Sequence, residues 1–311
     1  MVNIDTGTAP STQAAPSSQP GGTPAALQPK SKRRYFAIDG WGALVLPLLI
    51  FLVVVFLVPL VAMLVKSFTD PEPGFGNYVA VFAEPLYMKV ILNTFYVAVL
   101  VTVVTLLLAY PYAYLMTLVP PLWRNIMMVI MLIPFWTSVL VRSFALIVLL
   151  RDTGVINTVL TDIGAIDEPV TMLRTFGGVV FGMVQVSLPF AVLPMYATMS
   201  GIDKRLGLAA QNLGARPSGA FWRVFVPLSL PGVAAGLLLT FIQALGYYIT
   251  PALLGGPQNT MIGELIVQQV SAVLRYGFAA ALATMLLVLT LVLLGVAGKF
   301  LNLEKALMRR S

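Results

Sequence analysis

Long apolar runs alternate with short polar stretches along the chain, and the runs set the elements. Six runs, at about 43–65, 90–115, 126–150, 176–199, 232–254 and 278–301, match the roughly 20 apolar residues that cross a bilayer as helix. The pattern predicts an all-α polytopic membrane protein with six transmembrane helices. Pro47, Pro59, Pro134, Pro189 and Pro194 interrupt the runs. Membrane helices tolerate this where neighbouring groups satisfy the freed carbonyls. The expected organisation is a tail at 1–40, a transmembrane domain at 41–302 and a short C-terminal tail at 303–311.

One polar stretch, 201–231, is unlike an ordinary loop. Leu206, Leu208, Ala209, Leu213, Phe221, Trp222, Val224, Phe225 and Val226 give it apolar surface, and Lys204, Arg205, Arg216 and Arg223 give it charge. Leu206, Ala209, Ala210 and Leu213 fit helical spacing. Gly214 can turn the chain at positive φ. Pro217 suits the first turn of a second short helix, which Pro227 and Pro231 are expected to stop. Two readings are open: interfacial helices lying on lipid headgroups, or a docking element buried in the groove of a soluble partner.

Composition narrows the chemistry. The chain is 59% hydrophobic and 10% charged, against about a quarter charged in soluble domains. It holds neither cysteine nor histidine. That excludes disulfides, thiolate nucleophiles, Cys/His zinc sites and Ser-His-Asp triads. No catalytic residue and no metal site is expected. Residues 1–29 are Pro, Ser, Thr, Ala, Gly and Gln with one charge, Asp5, and read as disordered rather than as a signal peptide. The basic cluster Lys30, Lys32, Arg33 and Arg34 follows.

Charge distribution gives the orientation. With the N-terminus inside, thirteen Lys and Arg fall on the inner side, in the tail, at Arg124, in 201–231 and after Gly298. Five fall outside: Lys66, Lys89, Arg151, Arg174 and Arg275. Both termini and the 201–231 loop are therefore expected in the cytoplasm. The net charge of +7 follows from this topology, and no nucleic-acid role is supported. The outer connections at 66–89 and 151–174 carry acids, turn residues and a possible short helix at 156–160.

Within the runs Arg142 is the one ionisable residue away from a run's end, Lys299 lying at the close of the sixth. No Asp or Glu lies in any of them, which counts against a proton- or sodium-coupled carrier. Nor is there a phosphate loop: Phe300 follows Gly298-Lys299, with no glycine five residues before Gly298. ATP would have to be used by a separate chain. Candidates for a translocation path are Trp136, Thr137, Ser138, Arg142, Gln185, Gln243, Tyr247 and Tyr248, with Asn93, Thr94 and Ser187 behind them. Helix–helix hydrogen bonding is the alternative role for the polar ones. Phe135, Trp136, Tyr247 and Tyr248 either wall a cation path or pack and anchor. Arg142 either lines the path, bonds helix-end carbonyls, or snorkels to the outer interface.

The 201–231 stretch resembles the cytoplasmic loop of ABC importer permeases, whose pattern is Glu-Ala-Ala, three residues, Gly, nine residues, then Ile-x-Leu-Pro. Here Leu208-Ala209-Ala210 precedes Gly214 at that spacing, and Val224-Phe225-Val226-Pro227 closes it. Leu208 replaces the usual glutamate. The segment 133–157 (IPFWTSVLVRSFALIVLLRDTGVIN), Thr250 to Gly256, Met261-Ile262-Gly263 and Asn77-Tyr78 are similar to the polyamine (spermidine/putrescine) importer permeases. The resemblance covers about 41–301. It implies a type I importer permease fold and an inner-membrane location. It also implies an ATPase dimer docked on Leu208, Ala209, Ala210, Gly214, Val224 and Pro227, a second permease subunit, and a periplasmic solute-binding protein near Gly255-Gly256-Pro257. No cofactor is bound directly, and ATP serves the partner. Relatives carrying aminoethylphosphonate, ferric iron, thiosulfate or opines keep the solute open. A stand-alone secondary transporter and a membrane-embedded enzyme are the competing classes.

Overall fold

Apolar sequences with freely rotating Leu, Met and Ala side chains form helix once backbone groups must be satisfied without water. The computed structural model describes residues 40–308, and every regular element among them is helical. The expected disordered tail with its basic cluster, and residues 309–311, lie outside the described residues. The chain divides after Leu52 into two units. The described part of the first is α1 (Gly40–Leu52), uncharged and with Pro47 inside it.

The second unit begins with a π-helical turn, Val53–Leu57, and continues as α2 (Val58–Thr69), α3 (Gly76–Ala83) and α4 (Pro85–Leu118). Then come α5 (Pro121–Leu132), a 3-10 turn at Ile133–Trp136, α6 (Val139–Leu150), α7 (Val155–Asp162) and α8 (Phe176–Ser200). Next are α9 (Lys204–Asn212), α10 (Pro217–Ala220), a π-turn at Phe221–Phe225 and α11 (Val226–Leu245). The chain closes with α12 (Ile249–Leu254), α13 (Ile262–Ser271) and α14 (Tyr276–Met308).

The core of this unit lies where α4, α8 and α11 pack together. Between helices in lipid the driving force is close packing rather than exclusion of water, so small residues collect at the contacts. Ala98, Ala109, Ala113 and Ala191 are fully buried. Gly232 and Gly236, one turn apart on α11, press against α8. A Cβ on Gly232 would meet Thr198 Cβ at 2.7 Å, and one on Gly236 would meet the Ala191 carbonyl at 3.1 Å. Leu92, Leu107, Leu122, Val141 and Val292 point out of the unit, as lipid-facing side chains do.

Two runs depart from the six-helix expectation. Among the described residues, five helical stretches are long and apolar enough to cross a membrane: Val45–Thr69, Pro85–Leu118, Phe176–Ser200, Pro217–Leu245 and Tyr276–Val296. The run at 126–150 is not one helix. Pro121–Trp136 and Val139–Asp162 meet at 103°, and six crossings result only if this pair counts as one. Pro134 lacks an N–H, the helix tightens into the 3-10 turn, and Thr137 and Ser138 go extended. Apolar periodicity misses the break because the apolar run continues across it.

The run at 232–254 is also displaced. Its helix starts at Pro217 and ends at Leu245; Gly246 to Tyr248 break it before α12. Pro227 and Pro231 therefore do not stop a short second helix. The π-turn joins α10 to α11, with the Val226 N–H reaching back to the Phe221 carbonyl. Pro227 falls in the first turn of α11, where a missing N–H matters least. The Ser229 hydroxyl donates to the Val226 carbonyl at 2.8 Å. The final helix runs from Tyr276 to Met308.

The two long connections are held by buried asparagines. Asn77 Nδ2 donates to the Ser67 and Asp70 carbonyls at 3.1 and 2.8 Å, and the Tyr78 and Ser67 hydroxyls lie 2.7 Å apart. Asn157 Nδ2 donates to the Arg151 and Val170 carbonyls at 3.1 and 3.0 Å, and its Oδ1 accepts from Val170 N–H at 2.9 Å. α7 forms over the residues where a short helix was anticipated.

Candidate functional site

The 201–231 loop is built from its ends inward. Asp203 caps α9, its carboxylate accepting from Arg205 N–H at 2.9 Å. Lys204 Nζ donates to the Thr117 carbonyl at 3.3 Å, which ties the start of α9 to the end of α4. At the other end Gly214 stands at φ +90°. Its N–H donates to the Gln211 carbonyl at 2.9 Å and Ala215 N–H donates to the Ala210 carbonyl at 3.0 Å. These two bonds make a Schellman cap with glycine at the position that requires it. Ala210 thus supplies a capping carbonyl, and Gly214 the backbone conformation.

α9 buries none of its own residues. Leu213 is 90% exposed, Leu208 59% and Trp222 67%. Ala209 is exposed, Ala210 and Val224 are half-buried, and Pro227 is exposed. The π-turn is held from behind: Tyr114 of α4 meets Phe221 and Phe225 edge-on at 5.1 and 4.9 Å, and those two rings stack at 5.7 Å. Between α9, the π-turn and the ends of α4 and α8 lies a cavity of ≈ 460 Å³, lined by Arg124, Lys204, Leu208, Gln211 and Val224 among others. Leu208 and Val224 are therefore brought to one cavity. α9 thus leaves its apolar side chains unburied, while the π-turn behind it is packed against α4.

The path candidates fall into three groups. Trp136, Thr137 and Ser138 form the turn between α5 and α6, all exposed, Trp136 at 90%. Arg142, in the first turn of α6, donates from Nη2 to the Pro134 carbonyl at 2.8 Å and to the Thr137 carbonyl at 3.3 Å. It bonds helix-end carbonyls, and because the run is broken it stands beside the break rather than deep within one helix. Tyr247 and Tyr248 occupy the break after α11, with Gln243 just before it. Gln185 lines a groove between α4 and α8 with Leu100, Val104 and Phe181, and none of the other path candidates lines that groove.

Several of these polar atoms are buried without a partner: Gln185 Oε1, Gln243 Oε1, Tyr247 OH and Arg142 Nε. Asn93 and Thr94, by contrast, are spent on structure. Asn93 Nδ2 donates to the Thr260 carbonyl at 3.1 Å, and Thr94 Oγ1 accepts from Ile262 N–H at 2.8 Å. Burial pushes the Glu264 carboxyl on α13 above the usual carboxylate range, partly offset by donation from Gln268. The asparagine brackets, the Tyr114 aromatic cluster and the Lys204 tie were not singled out from the sequence. Only Asp203, placed before a helical run, carried a readable capping signal.

No group of three or more Asp, Glu, Cys or His able to hold a metal occurs among the described residues.

Known proteins share the sequence pattern and the fold. The spermidine/putrescine transport system permease protein PotB of Haemophilus influenzae is 35% identical over 229 residues, covering 73% of this chain and 80% of that protein. PotB of Escherichia coli K12 is 35% identical over 212 residues, 68% of this chain and 77% of its own length. The E. coli inner membrane ABC transporter permease protein YdcU is 32% identical over 225 residues. In fold, the chain is similar to one in the crystal structure of a bacterial alginate ABC transporter in complex with alginate pentasaccharide-bound periplasmic protein. There the TM-score is 0.72 at 22% identity, covering 83% of this chain and 92% of that one. Residues 107–300 match the family described as binding-protein-dependent transport system inner membrane component, and the chain belongs to that family of multi-pass inner-membrane proteins.

Proposed function

We propose that the chain is a permease subunit of an ATP-driven importer and passes a polyamine, putrescine or spermidine, from a periplasmic binding protein to the cytoplasm. The observation that carries this reading is the 35% identity to PotB across 80% of that protein's length. The chemistry supports it. Unpaired carbonyl oxygens at Gln185 and Gln243 suit a solute rich in N–H donors, and Trp136, Tyr247 and Tyr248 suit a cation beside aromatic faces. Arg142 bonds the Pro134 and Thr137 carbonyls, a structural role that fits a cationic solute better than a path-lining one would.

The exposed face of α9 and the Schellman cap at Gly214 form the ATPase docking element, with Leu208, Ala209, Ala210, Val224 and Pro227 around it. The excess of Lys and Arg puts this element and both termini in the cytoplasm. A second permease subunit, an ATPase dimer and the binding protein complete the assembly. The chain itself hydrolyses nothing and binds no cofactor.

The test is to purify the chain from its native membrane in mild detergent, identify what accompanies it by mass spectrometry, and reconstitute the set in liposomes. ATP-dependent uptake of radiolabelled putrescine or spermidine, with a phosphate-loop ATPase and a second six-helix protein recovered, is the expected result. ATP-driven uptake of a different solute only would overturn the polyamine assignment. Uptake by the chain alone without ATP would overturn the importer.

A further inference from the structure

We propose that Arg142 is a positioning residue: its guanidinium clasps the carbonyl end of the α5 arm and holds the bend that presents Trp136, Thr137 and Ser138. A helix that ends leaves its last carbonyls without intrahelical donors, and at membrane depth no water replaces them. The arm ending at Trp136 has its last carbonyls answered by side chains. Pro134 O is answered twice, by Arg142 Nη2 at 2.8 Å and by Thr137 Oγ1 at 3.0 Å, and Thr137 O is reached by the same Nη2 at 3.3 Å. A cation beside a helix C-terminus is also favoured by the helix dipole.

Arg142 stands in the opening turn of its own helix, α6, where the dipole disfavours a cation. Its placement therefore serves the preceding helix, not the one that carries it. The turn has two anchors. Phe135 packs on Phe190 of α8, rings 5.0 Å apart, which fixes the α5 side. Arg142 links the α6 side to the same carbonyls. Trp136 at 90% exposure has almost no packing of its own, so the clasp and the chain geometry decide where its ring stands. The role of this turn in solute passage rests on the importer reading above; the clasp itself does not.

The absence of cysteine allows a direct measurement. Leu122→Cys and Val148→Cys place nitroxide labels on the two arms, at side chains exposed in the structure. Pulsed electron resonance on the full chain in lipid nanodiscs then reads the distance across the 103° bend. Arg142→Met and Arg142→Gln are expected to shift or broaden the distance distribution, and Arg142→Lys to fall between them and wild type. Distributions identical to wild type in both neutral variants overturn the clasp, whatever transport does. Should Arg142→Met fail to accumulate, the Gln and Lys variants carry the same comparison.

In the reconstituted assembly, a double-mutant cycle with Trp136→Ala is expected to show coupling of about two- to 150-fold in the maximal uptake rate. Independent, multiplying effects overturn the positioning role. If wild-type uptake is missing altogether, the importer reading fails while the distance measurement still decides the clasp.

Discussion

Gly214 offers a perturbation whose size can be worked out beforehand. Its φ is +90°, and a Cβ built there meets nothing within 4 Å. Substitution therefore brings no clash, only the cost of holding an L-residue in a left-handed conformation, on the order of 1–3 kcal/mol. α9 cannot hold that strain. It has nine residues, buries none of them, and is shorter than the roughly 12–15 residues an isolated helix needs. In the free protein the last turn of α9 relaxes and the Ala215-to-Ala210 and Gly214-to-Gln211 bonds are lost. An ATPase that docks on the formed turn must restore it, so the strain appears in binding as about a five- to 150-fold rise in Kd. Alanine and arginine should be nearly alike, because the position is open, while asparagine, which enters this region more readily, should cost least. The assay is titration of the ATPase subunit onto the chain in nanodiscs, with membrane insertion checked by yield and helix content. Wild-type affinity and uptake in Gly214→Ala and Gly214→Arg would refute the reasoning. A large gap between Ala and Arg would show that charge, not the cap, is what the partner reads.

Three further outcomes are expected. Gly232→Ala must displace Thr198 or the Pro194 carbonyl and should destabilise the chain by about 1–3 kcal/mol in denaturant titration; an unchanged midpoint would mean α8 and α11 separate freely. Asn157→Ala leaves the Arg151 and Val170 groups short of partners, at roughly 1–3 kcal/mol, and should raise hydrogen exchange across 151–174 without touching 201–231. For Glu264 the raised carboxyl contributes stability that is fully present at acid pH and lost as pH rises through its folded value. Glu264→Gln should therefore gain most over wild type at neutral pH and nothing once the Glu264 carboxyl is protonated in the folded and unfolded states alike, which thermal melts across pH would read.

The helices, the loop at 201–231 and the turn at Gly214 were legible because each rests on local chemistry: apolar length, capping and positive φ. The broken third run was not. Pro134 was visible, but a proline in a membrane helix is usually tolerated, and what turns the chain by 103° is the extended pair Thr137-Ser138 held by Arg142. Pro227 and Pro231 misled for the converse reason: Pro227 falls in the first turn of α11, where its missing N–H is harmless, and Pro231 is accommodated inside that helix. The grouping of path candidates was illegible too, since Gln185 lies in an α4/α8 groove that only tertiary packing creates. The Gly232–Gly236 contact had a signal, two glycines four apart in an apolar run, that periodicity alone does not weigh.

The unbroken helix from Pro217 to Leu245 has a mechanical consequence. Its 29 residues make a rod about 44 Å long, with the exposed α9 hinged to one end by Gly214 and the Gly246–Tyr248 break at the other. Such a rod is stiffer along its axis than the connections at its two ends, although Pro231 inside it removes one backbone bond. Twist is different: the π-turn, wider and looser than the helix around it, is the compliant segment. A load on the loop would therefore reach the far break along the axis more faithfully than as rotation, with Tyr114 of α4 packed against the rod's own Phe221 and Phe225 rings.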